Sequence, residues 1–136
     1  MKSSNAPYIY EMQLKVRDYE VDSQGIVNNA NYLHYLEHTR HEFCESRGFT
    51  FRDMQQQGID PVVNKIEIEY HTPLHLAETM TSKLWIERKG VRFIFHQDVF
   101  TPSGAVAVSA KVSVVALQNG RPTRGDLLAE ALSIEF

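Results

Sequence analysis

The chain has one cysteine, Cys44, so it cannot staple itself with an internal disulfide. A reducing compartment and a cytoplasmic location are the natural expectation. No apolar run approaches the roughly 18 residues that a membrane-spanning helix needs. Met1 to Pro7 lack the apolar centre of a secretory signal. There is no Gly-x-Ser-x-Gly elbow, no P-loop, no Gly-x-Gly-x-x-Gly and no pair of cysteines to hold zinc. Internal repeats and linker-length runs of Pro, Gly or Ser are also missing, so residues 1–136 read as one domain. Positive charge is short: 14 Lys and Arg against 17 Asp and Glu give a net charge of −3. That balance argues against a nucleic-acid partner, although a local basic cluster would still suffice for a small phosphate-bearing ligand.

What the chain does have is an apolar fraction of 43%, enough to exclude disorder. Its first element alternates, with Tyr8, Tyr10, Met12, Leu14 and Val16 on one face and Ile9, Glu11, Gln13, Lys15 and Arg17 on the other. Period two marks a strand with one buried face. Turn formers gather from Asp18 to Gly25, and Asn28 or Asn29 can then cap a helix. From Ala30 to about Arg47 nothing breaks that helix, which gives a rod of roughly 27 Å. Tyr32, Leu36, Thr39 and Phe43 form its apolar face, widened by Leu33 and Tyr35, and Gly48 stops it. A shorter helix is expected over Phe51 to Gln57, closed by Gly58.

The remainder reads as strands. Lys65 to Tyr70 alternates until Pro73, and Met80 to Glu87 alternates again. A turn at Arg88-Lys89-Gly90 leads into Val91, Phe93 and Phe95. After Pro102-Ser103-Gly104 comes a long strand, Ala105 to Leu117, ended by Asn119-Gly120. Its Val106, Val108, Val112 and Val114 share one face, and Ala107, Val115 and Leu117 the other, so both faces are expected to be covered. Asp126 to Phe136 fits either a short helix or an edge strand. The order describes an α+β domain with an antiparallel sheet of five to six strands and one dominant helix. A single helix covers one face only, so the core, and any site in it, is expected to be completed by a partner chain.

Candidate chemistry is sparse. His34, His38 and His41 share a helical face, where two could chelate a metal or all three could simply meet solvent; no obvious ligand set completes them, and no metal is expected. Cys44 lacks the cationic, N-terminal setting of a reactive thiolate and reads as structural. More informative is Asp22 in a Gly25-containing turn just before a helix N-terminus. The free N–H groups of such a terminus can hold a developing oxyanion, and the carboxylate can activate water or attack directly. An ordinary Asx-turn followed by an ordinary N-cap would give the same spacing.

The run Asp22-x-x-Gly25-Ile26-Val27-x-x-Ala30-Asn31-Tyr32, followed by Tyr35-Leu36-Glu37-x-x-Arg40, resembles the hotdog-fold acyl-CoA thioesterases. The likeness is greatest to the 4-hydroxybenzoyl-CoA thioesterase family and its YbgC-like members. It implies a sheet wrapped around one long central helix and hydrolysis of an acyl-CoA to free acid and coenzyme A, with no cofactor beyond the coenzyme A of the substrate. It implies that Asp22 is the catalytic base or nucleophile and that the amide near Asn29 polarises the thioester carbonyl. Gly25, Ile26, Val27, Asn28 and Tyr32 would line the acyl end. Arg88, Lys89 and Arg92 match the turn that meets coenzyme A phosphates, often across a subunit boundary in a homodimer or homotetramer; a solvated basic turn is the alternative.

The chain departs from the pattern in lacking a motif histidine, which YbgC-like members carry where Asn29 stands and acyl-carrier-protein thioesterases carry where Ile26 stands. Val27-Asn28-Asn29 leaves an acyl-carrier-protein substrate open as an alternative, as is a non-catalytic acyl-CoA-binding protein. Glu37 lies roughly 12 Å along the helix from Asn29 and reads as an ion-pair partner, with Arg40 the obvious cation.

Overall fold

The structure is a computed structural model and describes residues 8–136; the segment Met1 to Pro7 lies outside the described residues. Strand β1 runs Tyr10–Lys15, and a 3-10 turn at Asp18–Glu20 follows it. Helix α1 is Asn29–Ser46 and α2 is Phe51–Gln56. Strands β2 (Ile59–Tyr70), β3 (Thr79–Lys89), β4 (Arg92–Phe100), β5 (Val106–Gln118) and β6 (Arg121–Pro122) come next, and α3 (Asp126–Leu132) closes the chain. The strands form one antiparallel sheet in the order β1-β3-β4-β5-β2, with β6 paired to β5. With α1 against its inner face, this is the hotdog arrangement implied by the motif. No helix is long and apolar enough to cross a membrane among the described residues.

The inner face holds two apolar clusters. One, under the C-terminal half of α1, gathers Phe43, Cys44, Leu84, Phe93, Phe95 and Val112, and Leu128 and Leu132 reach into it from α3. That packing decides the C-terminal segment in favour of a helix. The other cluster, under the N-terminal half of α1, gathers Val16, Val27, Tyr32, Leu36, Leu74 and Met80. Cys44 is fully buried, which pushes its thiol up to about 12 and fits the structural reading.

Three expectations are corrected. Leu33 is 38% exposed and does not widen the buried face of α1; Arg40, on the same flank seven residues later, is 5% exposed. Strand β2 begins at Ile59, well before Lys65, and passes through Pro61 and a bulge between Val63 and Lys65. On β5, Phe100 pairs with Val106 and Val99 with Val108, so Ala107 is an extra residue. An extra residue reverses the alternation beyond it. Val106 therefore does not share a face with Val108, and the inner face of β5 is carried by Val108, Ala110, Val112, Val114 and Ala116.

A polar layer joins the two clusters. The hydroxyls of Thr39 and Ser82 lie 2.8 Å apart. Gln97 accepts from Arg40 Nη1 at 3.1 Å and donates to the Leu36 carbonyl at 3.0 Å. Burial draws the Arg40 guanidinium down to about 10 against the opposing charge of Glu37, and no Arg40–Glu37 ion pair forms among the described residues. Gln97→Leu removes the acceptor of a buried cation and is expected to cost about 2 kcal/mol of stability. Urea unfolding of the single variants and of Gln97→Leu with Arg40→Met checks this, because the second substitution should restore part of the loss.

Candidate active site

The loop from Glu20 to Asn28 is built by its own backbone. Val21 and Val27 form an isolated antiparallel bridge, and Asp22 N–H donates to the Ile26 carbonyl at 2.9 Å. Gly25 turns the chain at φ +76, a left-handed conformation that favours glycine. Residues 25–27 are then stitched to the segment before β3: Val27 N–H donates to Leu74 O, Leu76 N–H donates to Gly25 O, and Ile26 bridges His75.

The Asx-turn is real, and it uses one oxygen of Asp22. Oδ1 accepts from the N–H groups of Gln24 at 2.8 Å and Ile26 at 3.3 Å. Oδ2 has no hydrogen-bond partner among the described residues, and Asp22 is exposed. At the other end of the loop Asn28 is the helix cap. Its Oδ1 accepts from Ala30 N–H at 3.0 Å and its carbonyl from Asn31 N–H at 2.9 Å. Between them, Asn29 N–H is left without an acceptor among the described residues. The loop thus presents one unengaged carboxylate oxygen and one unengaged amide at the positive end of an 18-residue helix.

On the Asn29 side of the loop is a recess of about 150 Å³, lined by Ile26, Val27, Asn29 and Tyr32 together with Tyr70, His71, Thr72, Pro73 and Ala107; Asp22 is not part of its wall. Of the anticipated acyl-end residues, Ile26, Val27 and Tyr32 are wall residues. Gly25 and Asn28 stand outside the wall and shape the loop instead. Tyr32 is 3% exposed and held by the Leu74 N–H on its hydroxyl; its ring meets Tyr70 edge-on at 5.6 Å. The Tyr70 hydroxyl donates to the Asn29 carbonyl at 3.3 Å.

Tyr70 to Pro73 are the wall that the motif does not contain. They lie some forty residues downstream and reach the site because the end of β2 passes the N-terminus of α1. His71 brings an imidazole to a recess whose motif has none. The alternation ending at Pro73 marked the end of a strand but carried no signal of its neighbour.

The basic turn lies elsewhere. Arg88 donates to Arg124 O at 2.6 Å and to Asp126 Oδ1 at 2.8 Å, so it pins α3. Lys89 is 3.9 Å from Glu87. From Thr79, three residues past the Leu76 that bonds Gly25, to Lys89 is the length of β3, roughly 33 Å. Arg88, Lys89 and Arg92 are therefore remote from Asp22 of the same chain. His34, His38 and His41 stay on the exposed side of α1, where His38 is 3.9 Å from Glu42 and His41 packs on Phe51.

The chain is similar in sequence and fold to known proteins. The sequence model of the Thioesterase-like superfamily matches residues 16–132. The chain is 32% identical over 111 residues to the putative acyl-CoA thioesterase YneP of Bacillus subtilis, covering 81% of this chain and 80% of that protein. It is 37% identical over 118 residues to the chloroplastic acyl-acyl carrier protein thioesterase ATL2 of Arabidopsis thaliana, covering 85% of this chain and 63% of that protein. Among solved structures, the probable thioesterase YbaW of Escherichia coli superposes with a TM-score of 0.79 at 30% identity, over 90% of this chain and 95% of that one.

Proposed function

Because the chain belongs to the thioesterase-like superfamily, we propose that it hydrolyses an acyl-CoA thioester to the free acid and coenzyme A at the Asp22–Asn29 loop. The observation that carries this reading is an unengaged Asp22 Oδ2 and an unengaged Asn29 N–H at the two ends of one loop, the second of them on the wall of a recess of mixed polarity. Asp22 takes a proton from water as the water oxygen attacks the acyl carbon. The carbonyl oxygen, now negative, is held by Asn29 N–H and the helix dipole. Collapse of the tetrahedral intermediate breaks the carbon–sulfur bond and releases the thiolate. Direct attack by Asp22 through a mixed anhydride is the variant of the same site. A thiol of pKa about 8.5 leaves without obligatory acid help, so a motif histidine is dispensable. No metal or redox group is needed for this step.

The test is thiol release over a panel of acyl-CoAs. Turnover of at least one member is expected, and no release from any would sink the reading. Likeness to ATL2 supports an acyl-carrier-protein substrate as the second reading. The same acyl chain on the two carriers, compared side by side, separates them.

The functional unit we propose is a dimer, joined along β2. That strand has twelve residues and pairs on one side only, with β5. Its Val63, Ile66 and Tyr70 are 38%, 41% and 47% exposed, although their cross-strand partners face the core. An unpaired edge with apolar neighbours invites a second strand. The recess is also smaller than the roughly 300 Å³ at which ligand pockets usually start, so a partner would supply the missing wall. Light scattering after size exclusion should give twice the 15.6 kDa chain mass. Ile66→Asp should shift the protein toward monomer and lose activity in step. A fully active monomer would refute the shared site.

A further inference from the structure

Glu20 takes no part in the chemistry proposed for Asp22, yet it is a carboxylate only 4% exposed, two residues away. Its Oε1 accepts from Arg17 N–H at 2.8 Å and from the Tyr35 hydroxyl at 2.9 Å, and its Oε2 from Arg17 Nη2 at 2.7 Å. The Glu20 carbonyl accepts from Asn28 N–H at 3.0 Å and from Asn31 Nδ2 at 2.8 Å. One residue thus grips the chain before the loop, the cap residue after it, and two side chains from the first two turns of α1.

The grip extends into the recess. Tyr35 packs edge-on against Tyr32 at 5.9 Å, Tyr32 against Tyr70 at 5.6 Å, and Tyr70 reaches the Asn29 carbonyl. Burial alone would raise the Glu20 carboxyl, but the Arg17 side chain and N–H and the Tyr35 hydroxyl outweigh it and hold it below its ordinary value. Burial, then the bond to Glu20, pushes the Tyr35 phenol up, so it remains the donor. A buried charge is retained only with such compensation.

We propose that Glu20 is a positioning residue, which locks the Asp22 loop onto the start of α1 and so fixes Asp22 Oδ2 relative to Asn29 N–H. This rests on Asp22 and Asn29 being the reacting pair. A displacement of about 1 Å between reacting groups can cost a hundredfold in rate. Tyr35→Phe deletes one bond of the grip without changing volume, and Glu20→Gln weakens the ion pair while keeping the shape.

Two readouts test it on the full chain. Amide exchange measured by mass spectrometry should rise in residues 21–31 of Glu20→Gln and Tyr35→Phe while β3, β4 and β5 keep the parent rates. On the best acyl-CoA, kcat should fall about a hundredfold in Glu20→Gln with KM little changed, and by less in Tyr35→Phe. Gln97→Leu, destabilised in a different place, is the control and should keep its kcat. Uniform exchange across the sheet, or local opening with kcat within twofold of the parent, overturns the positioning role. If the parent releases no thiol, the thioesterase reading fails by itself. The exchange pattern still decides whether Glu20 holds the loop, and parent-like exchange in residues 21–31 overturns that.

Discussion

Asp22→Asn is expected to lower kcat about a thousandfold, the middle of the range for a positioned general base or acid and about 4 kcal/mol of barrier. Asparagine is the informative replacement because of how the carboxylate is used. Oδ1 is committed to Gln24 and Ile26 N–H groups, and an amide oxygen in the same place accepts both bonds, though each is weaker than to a carboxylate. The Asx-turn and the loop therefore survive, and only the basic Oδ2 is lost. Asp22→Ala removes both functions and would confuse chemistry with folding. Asn29→Ala makes the complementary point: the group proposed to hold the oxyanion is its backbone N–H, so activity should stay within a few-fold of the parent. Initial rates of thiol release, with the thermal midpoint measured in parallel, check both. An Asp22→Asn protein as active as the parent removes Asp22 from the reaction.

The second large effect is on stability. Gly125, at φ +82, caps α3, and a Cβ built there would lie 2.6 Å from Cε1 and 3.1 Å from Cζ of Phe93. Phe93 is fully buried among the core residues that α3 packs on, so a shift of its ring disturbs packed neighbours. Gly125→Ala therefore meets two penalties, the left-handed backbone and the overpacked ring, and is expected to cost about 3 kcal/mol. Gly120→Ala separates them. Gly120 has φ +78 in the turn between β5 and β6, with nothing within 4 Å of its Cβ position, so the cost there should be the conformational part alone, about 1 kcal/mol. Urea midpoints of the two variants read the difference, and equal values would mean that the ring yields.

How much of this was legible in the sequence depended on whether the signal was local. Helix α1 is written in its own stretch, from the Asn28 cap to Gly48, and the Asp22 loop is recognisable because its parts are adjacent. The burial of Arg40 is not legible, because a charge on the flank of a helix usually meets solvent, and its acceptor, Gln97, comes from β4. The bulge at Ala107 left no mark, since an alanine among valines fits either face. Pro61 hid the first half of β2. The recess was half visible: Ile26, Val27 and Tyr32 sit in the motif, while Tyr70 and His71 arrive through sheet topology. Arg88 reads as a free cation in its own turn, because Asp126, which holds it, lies 38 residues on.

The strand order carries a consequence for how the molecule assembles. Strands β3, β4 and β5 follow one another in sequence and stand together in the middle of the sheet. Their turns are short, so closing them loses little chain entropy, and they can form early. Strands β1 and β2 flank α1 in sequence but take opposite edges, each pairing only with a distant stretch, as Tyr10 does with Leu84 and Ile59 with Gln118. They and the helix between them are expected to dock late. The loop that holds Asp22 lies within that late-arriving unit, so catalytic competence should be the last property to appear during refolding, after the bulk of the sheet signal has returned.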